Sequence, residues 1–513
     1  MRIIALALLL ASVPVLALIN PRYTPVDLVK GAQTIVATRI ALVAENPEVS
    51  VTLVTILKGK QPAALHLLVP VDDELERFRT ALGTTPVDAT LFLGDFSAAV
   101  DNVEDEQKPV GALHVSAAWF GLTRDAEGRL HAGKDPLDLQ TVWAGGDIML
   151  QQAVSYVVAT PNPYIPANTG TTWSGDTDGG AIAGTLTGAT ALDALGDGKT
   201  CLLLTTTAGN RLFRFTAERK VENITAQDKT TWKPSTTVKA DLDNEGKLDV
   251  VTPVDGVLLL QRGGETITTH LPSLPGAVTA LFASDLDGDG YLDLVVAGAE
   301  GALLLHNDGK GGFRIINGDS GEVAYDLKQG ITSAGAFDVN GDNRDDLYFG
   351  YAGIAPQFFF NRGFACFGLS GDLALREWGV KGTPDTDITF VSGVALSKGQ
   401  QALAPGDYDG DGAQDMAIID KVGHLYILWG NPVDMSAFRL TVALPAGSID
   451  PITVIGYEGK RCLGAKLIQP GKPVTFTRDS KGPLRVVWTT ANGKKHEKTT
   501  VMMKAMRVEL SKD

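Results

Sequence analysis

The sequence predicts an all-β-dominated protein: a β-propeller over residues 180–450, an N-terminal α+β domain before it and a small C-terminal β-sandwich-like module after it. Three observations carry this reading. An aspartate-rich nonapeptide recurs along the middle of the chain. Each copy runs directly into an apolar, strand-like segment. The copies start at residues 193, 241, 285, 338 and 407, so successive units are 48, 44, 53 and 69 residues apart. The first three spacings suit one four-stranded unit per repeat with variable loops.

The clearest copy is Asp285-Leu-Asp-Gly-Asp-Gly-Tyr-Leu-Asp293, followed by Leu294-Val-Val-Ala-Gly. Asp241-Leu-Asp-Asn-Glu-Gly-Lys-Leu-Asp249, Asp338-Val-Asn-Gly-Asp-Asn-Arg-Asp-Asp346 and Asp407-Tyr-Asp-Gly-Asp-Gly-Ala-Gln-Asp415 repeat the pattern. A fifth copy, Asp193-Ala-Leu-Gly-Asp-Gly-Lys-Thr-Cys201, lacks the oxygens at positions three and nine. Carboxylates this dense repel one another unless a counter-ion sits among them. Ca²⁺, a hard cation that takes six to eight oxygens, suits the spacing. Positions one, three and five can converge, position seven can offer its carbonyl, and position nine closes the site. Position seven is Lys247, Tyr291, Arg344 or Ala413, so its side chain carries no requirement. An EF-hand needs a Glu at position twelve between two helices. Here that position is Thr252, Val296, Phe349 or Ile418 and the flanks are strand-like, which excludes it.

Within a unit, Leu294 to Ala297 and Ala302 to His306 form two apolar runs about a Gly-containing turn, the pattern of a hairpin. Five units are visible. Closure asks for a sixth or seventh, drawn from residues 171–186 or 438–444. The 69-residue gap contains an insertion or a degenerate blade, with Trp378 in its irregular part.

Residues 1–17 read as a signal peptide. Arg2 precedes an apolar run from Ile3 to Leu16, Ala17 offers a cleavage site, and the run is short for a membrane span. Residues 18–170 read as the N-terminal α+β domain, of no recognised family. Strands are expected at Ile35–Ile40, Val49–Leu57, Ala64–Val71, Asp88–Leu93 and Gly111–Phe120, a short helix at Asp72–Thr80, and a helix at Asp147–Ala159 whose Val/Tyr-rich end is also compatible with a strand. Residues 123–139 read as a polar connection. Pro161, Pro163 and Pro166 end the domain. Residues 451–513 form the C-terminal β module, with Asn492-Gly493 at a type I′ hairpin turn.

The 45 basic and 60 acidic side chains give a net charge of −15. Four bound Ca²⁺ ions would leave about −7, so much of the acidity belongs to the loops. This balance argues against nucleic acid as a partner. From Gly471 onward the balance reverses, to ten Lys/Arg against four Asp/Glu. That stretch is either a solvated basic face or a surface that docks on the acidic repeats or on an acidic polymer. Cys201, Cys366 and Cys462 form no disulfide framework or metal cluster. No HExxH, nucleophile elbow or Walker loop is present.

With these loops and trailing Leu/Val strands, residues 185–435 resemble FG-GAP, or VCBS-type, repeats, which build the calcium-binding propeller of integrin α-subunits and many secreted bacterial proteins. The resemblance implies a propeller of about seven blades with Ca²⁺ in its loops. The ligands it implies are Asp241, Asp243, Glu245 and Asp249; Asp285, Asp287, Asp289 and Asp293; Asp338, Asn340, Asp342 and Asp346; and Asp407, Asp409, Asp411 and Asp415. Glu245 departs from the pattern by a methylene, Asn340 brings a neutral oxygen, and the Asp193 copy departs too far to carry a site. The function expected on this basis is a secreted or periplasmic, calcium-stabilised propeller of the bacterial envelope. It would serve as a binding or adhesion scaffold for a glycan or an envelope or extracellular protein, with no stable membrane span after signal cleavage. A polysaccharide lyase or hydrolase built on such a body is the alternative.

Overall fold

The computed structural model describes most of residues 25–510; the longer stretches outside the description are 69–77, 97–108, 140–146, 160–171, 229–235, 271–275, 339–342, 352–355, 369–399 and 432–437. The expected signal peptide, the helix at Asp72–Thr80 apart from Phe78, the proline-rich boundary and Trp378 lie outside the described residues.

The N-terminal region is a closed barrel of seven strands. In sheet order these are Ala32–Leu42, Glu48–Lys58, Leu67–Leu68, Leu130–Gly133, Ala118–Arg124, Gly111–Val115 and Val87–Gly94, the last pairing back onto the first. Alternation along the strands sorts the side chains. Val36, Ile40, Leu91, Leu113, Val115, Phe120 and Leu122 form one core. Ile35, Phe92, Ala112 and Trp119, of the opposite parity, pack with Leu28 of helix Pro25–Gly31 and with Leu150 and Val154 of helix Asp147–Ala159. His114 has that outward parity too. Its Nδ1 lies 2.8 Å from Asp147 Oδ1, while the Ser116 N–H donates to Asp147 Oδ2, which pins the start of the helix to the barrel.

Two readings of this region are corrected. The expected α+β domain is a barrel, because Leu130–Gly133, inside the supposed polar connection, is the strand that closes it. The single strand expected over Gly111–Phe120 is two, folded at Ser116, whose φ of 48° makes the tight turn.

Five four-stranded antiparallel sheets follow. Sheet I holds Leu186–Leu192, Cys201–Thr206, Arg211–Phe215 and Val221–Asn223; sheet II holds Val238–Ala240, Asp249–Val254, Val257–Arg262 and Glu265–His270. Sheet III holds Val278–Ser284, Asp293–Gly298, Gly301–Asn307 and Phe313–Ile315; sheet IV holds Ile331–Phe337, Asp346–Tyr351, Gln357–Asn361 and Phe367–Gly368. Sheet V holds Gln400–Gly406, Asp415–Asp420 and His424–Asn431, and takes its fourth strand, Thr172–Ala181, from ahead of sheet I.

The second strands of sheets I, III, IV and V are buried at every residue. Such strands need apolar residues on both faces. In sheet III, Leu294 and Val296 join one core while Val295 and Ala297 join another on the opposite face. Neighbouring sheets touch through their first strands, with no ladder from one sheet to the next.

The expected propeller of about seven blades is therefore corrected. The described residues carry five separate, unclosed four-stranded sheets, and the single closed sheet is the barrel. The loop-and-hairpin pattern dictates a local meander and contains nothing that sets how meanders close. The segments considered as extra units went elsewhere: residues 172–181 complete sheet V, and Phe438–Ala443 pairs with Val474–Arg478 and Met506–Glu509. That three-stranded sheet and a four-stranded one, Arg461–Ile468, Ile452–Glu458, Gly482–Thr489 and Lys495–Met502, make the C-terminal module. Their shared core includes Leu440, Val454, Phe476, Val486 and Trp488.

The C-terminal module rests against the loops of the sheets, and Gly246 marks how closely. Its φ is +95°, and a Cβ there would lie 2.1 Å from Thr490 O. Gly246→Ala should lower stability by about 2 kcal/mol or more, combining a left-handed backbone with a backbone clash. Urea unfolding of the full chain measures this, and an effect within about 0.5 kcal/mol, ordinary for a surface change, contradicts the contact.

Candidate cation-binding loops

Every aspartate-rich segment connects the first two strands of its sheet. Positions four and six of the loop are left-handed: Gly288 and Gly290, Asn244 and Gly246, and Gly196 and Gly198 all have φ between 60° and 96°. Asn343 and Gly410 occupy the same conformation. Glycine and asparagine tolerate it best, which accounts for the alternating Asp-Gly pattern.

The position-one carboxylate holds the curl. Asp285 Oδ1 accepts from Gly288 N–H at 2.8 Å and Oδ2 from Gly290 N–H at 2.9 Å. Asp241 accepts from Glu245 and Gly246, and Asp193 from Asp197 and Gly198. The Asp193 copy thus folds like the others although it lacks two of their oxygens.

The position-nine carboxylate is a staple. Asp293 Oδ2 accepts from Leu286 N–H at 2.8 Å and Oδ1 from Asn307 N–H at 2.7 Å, on the third strand. Asp415 does the same with Tyr408 and Gly430. Asp346 takes Asn361 N–H at 2.7 Å. Asp293, Asp346 and Asp415 are fully buried. The third-strand asparagines reach onward to the preceding sheet: Asn307 Nδ2 donates to Leu242 O and Asn361 Nδ2 to Leu286 O.

Burial and mutual repulsion raise these carboxyl groups. Asp241 is pushed up to about 7 and Asp415 to about 8, in each case chiefly by desolvation and then by neighbouring aspartates. Asp293 rises to about 6 for the same first reason, opposed by His306. Asp285 stands well above the ordinary range, through desolvation and the charges of Asp287, Asp293 and Asp289.

The loops answer that charge differently. In the 241–249 loop, Arg262 donates Nε to Asp249 Oδ1 and Nη2 to Oδ2, both at 3.0 Å, and its Nε lies 3.4 Å from Asp243 Oδ2. In the 407–415 loop, Arg219 reaches Asp409 at 2.9 Å and Asp411 at 3.6 Å. In the 285–293 loop, His306 Nδ1 lies 3.4 Å from Asp287 and 3.3 Å from Asp293.

Among the described residues, three groups of side chains bring ligand atoms within 4.8 Å of one another: Asp285, Asp287 and Asp289; Asp287, Asp293 and His306; and Asp407, Asp409 and Asp415. The 285–293 set is brought together as expected, split between two groups that share Asp287. Asp411 stands outside the third group, against Arg219. Asp241, Asp243 and Asp249 surround a guanidinium, and the half-exposed Glu245 side chain turns outward, 3.7 Å from Lys247. Asp338 holds Asn343 N–H at 2.7 Å, while Asn340 and Asp342 lie outside the described residues. Arg262, His306 and Arg219 went unread in the sequence. Arg262 and His306 each follow the position-nine aspartate by thirteen residues, a spacing visible once the loops are aligned. Arg219 comes from another sheet, with no local signal.

The C-terminal module covers the loops. Ala465 N–H donates to Asp285 Oδ2 at 2.7 Å. Asn343 exchanges hydrogen bonds with Thr477, at 2.7 and 2.6 Å. Lys466 Nζ lies 2.9 Å from Asp345 Oδ1, Arg439 donates to Asp411 O, Thr489 to Asn244 O, and Arg507 faces Asp193 at 3.7 Å. Of the two readings of the basic tail, Arg507 therefore follows the one in which it docks on the acidic repeats.

The profile of the FG-GAP-like repeat family matches residues 285–349, well short of half the chain. No curated protein matches the chain. Among solved structures, the chain is similar at 10% identity to the Photorhabdus luminescens Tc holotoxin pore, with 82% of this chain and 23% of that chain covered and a TM-score of 0.32. It thus spans about a quarter of the toxin chain. It is similar at 14% identity to an Agrocybe aegerita lectin described as recognising non-reducing terminal N-acetylglucosamine, with 88% and 96% covered and a TM-score of 0.21. It is similar at 13% identity to the V. cholerae biofilm matrix protein Bap1, with 63% and 61% covered and a TM-score of 0.20. Similarities at this level establish no shared fold.

These findings correct the resemblance read over residues 185–435. One segment matches the repeat, and the sheets do not form the propeller it implied. The expected function falls with it: neither a calcium-stabilised propeller scaffold nor an enzyme on such a body has the architecture it needs, and the ligand sets are not equivalent calcium loops. Among the described residues, no helix is long and apolar enough to cross a membrane.

The raised carboxyl groups give a pH dependence. Their folded values, about 6 to about 8, lie above the ordinary 3.8. The folded chain therefore binds more protons than the unfolded chain across this window. The contribution is complete below the ordinary value and is lost as pH rises through the folded ones. Chelator-treated protein should melt lower at pH 8 than at pH 5.5, and Ca²⁺ should shrink or reverse that drop. A melting temperature flat across pH 5–8 in chelator contradicts the assignment.

Proposed function

We propose that the 285–293 loop is a divalent-cation site, with Ca²⁺ the expected ion, and that the cation latches the C-terminal module onto sheet III. The supporting observation is Asp285. One of its oxygens accepts from Ala465 of the module, while the carboxylate stands within ligand distance of Asp287 and Asp289. Two negative neighbours disfavour an ionised Asp285, and a cation removes that penalty. The ionised carboxylate is then the stronger acceptor for the Ala465 N–H. Cation binding and module docking are thereby coupled through one side chain.

In the same reading the ligand sets at 241–249 and 407–415 are weaker cation sites, because Arg262 and Arg219 already supply positive charge there. In this reading the protein works outside the cytoplasm, secreted or periplasmic, a reading that Arg2 and the apolar run Ile3 to Leu16 support, and millimolar calcium in such compartments would fill loops of modest affinity. A glycan or an envelope or extracellular protein is the partner class in this reading; it rests on the sequence alone.

Thermal melts and amide hydrogen exchange of the full chain test the latch. Ca²⁺ at a hundred times its dissociation constant should stabilise the fold by about 2.7 kcal/mol and slow exchange in Arg461–Ile468. Asp289→Asn should weaken both effects without unfolding the chain, since its side chain lies at the exposed tip. Identical melting and exchange with Ca²⁺ and with chelator would falsify the latch.

A further inference from the structure

We propose a second metal position beside that site: Asp287, Asp293 and His306 form a mixed oxygen–nitrogen pocket for a borderline transition dication of the Zn²⁺ type. It goes beyond the calcium reading and does not depend on it. The two positions share Asp287, yet His306 belongs only to this one and Asp289 only to the other.

The geometry of His306 carries the inference. Its Nδ1 is buried and stands 3.4 Å from an oxygen of Asp287 and 3.3 Å from one of Asp293, ion-pair contacts longer than an ordinary hydrogen bond. Both carboxylate side chains are fully buried, and the imidazole is 14% exposed. A charge-assisted N–H···O bond is shorter, about 2.7–2.9 Å, and well aligned. An ion about 2.1 Å from a nitrogen and an oxygen in tetrahedral array separates those atoms by about 3.4 Å and places the oxygen about 35° off the nitrogen's axis. The observed distances fit that edge. Ca²⁺ favours oxygen alone, whereas imidazole suits zinc and its neighbours.

The neighbouring sheet supplies the contrast. Arg262, at the corresponding position of sheet II, fills the equivalent space with a guanidinium held on both oxygens of Asp249. The shorter imidazole spans the two carboxylates at 3.3 and 3.4 Å, farther than the 3.0 Å of the guanidinium contacts. The competing role for His306 is an imidazolium counter-charge doing what Arg262 does, and the test separates the two.

Zn²⁺ titrations of the full chain in saturating Ca²⁺ are the experiment, with ¹⁵N-histidine NMR as the direct readout. Zn²⁺, and not Ca²⁺, should shift the His306 Nδ1 resonance. His306→Gln should lower Zn²⁺ affinity more than about 100-fold, beyond the usual effect of losing a supporting contact to a ligand, and leave Ca²⁺ binding intact. Asp289→Asn should do the reverse. His306→Arg, copying sheet II, should keep the fold and abolish Zn²⁺ binding, so a misfolded glutamine variant does not decide the matter. An unshifted Nδ1 resonance, or Zn²⁺ affinity unchanged in His306→Arg, overturns the site and leaves His306 as a counter-charge. Loss of Ca²⁺ binding by the wild-type chain would sink the latch while leaving this pocket standing.

Discussion

The buried carboxylate at position nine is the constraint on which the sheets depend. A charge or polar group taken out of water must have its partners supplied by the fold. Asp293 meets this by taking a backbone N–H from the start of its loop and another from the third strand. Both bonds are geometric instructions: one closes the loop, the other sets how far the hairpin runs before it turns. Asn307 and Asn361, whose N–H groups serve Asp293 and Asp346, turn their side-chain amides to the preceding sheet. A single buried acid thus organises a loop and a hairpin, and through its asparagine partner a contact between sheets. The loop aspartates are needed by the backbone first, whatever ion they hold.

That solution creates the second problem, an excess of negative charge at the strand ends. The chain resolves it with what each sheet has within reach. Sheet II uses Arg262, sheet V borrows Arg219 from the turn after Arg211–Phe215 of sheet I, and sheet III has only the weaker base His306. The C-terminal module adds Lys466 beside Asp345 and Arg507 beside Asp193, together with backbone donors such as Ala465. The Lys466–Asp345 pair is largely buried, whereas the partly exposed Arg507 beside Asp193 contributes little by itself. The number of such contacts along one face, with backbone hydrogen bonds between them, is what seats the module.

The strands and loops of the sheets were legible in the sequence because they follow from local rules. Left-handed positions demand Gly or Asn, and doubly covered strands demand unbroken apolar runs. Leu294 to Ala297 and Ala302 to His306 fall inside the observed strands, and the helix Asp147–Ala159 was read to the residue. Closure was not legible. Thr172–Ala181 finds its partner some 250 residues away, and nothing in either segment specifies the other. The four residues Leu130–Gly133 close the barrel although their polar surroundings read as a connection. The crowding of carboxylates in the 285–293 loop was legible as well. Their counter-charges were not, because a cation is identified as a partner only when the third strand is laid beside the loop.

The position thirteen residues after each position-nine aspartate is therefore where the sheets differ in chemistry while sharing a backbone. Arginine there carries its own permanent charge and five donors, enough to satisfy a carboxylate bidentately. Histidine is shorter, can be neutral, and presents a nitrogen that a metal can use. The two residues make opposite demands on the environment. The arginine loop carries its counter-charge as soon as the chain folds, whereas in the proposed reading the histidine loop takes a cation from solution. Asp285 of that same loop also receives the C-terminal module, so the sheet proposed to take a cation is also one through which the module is held.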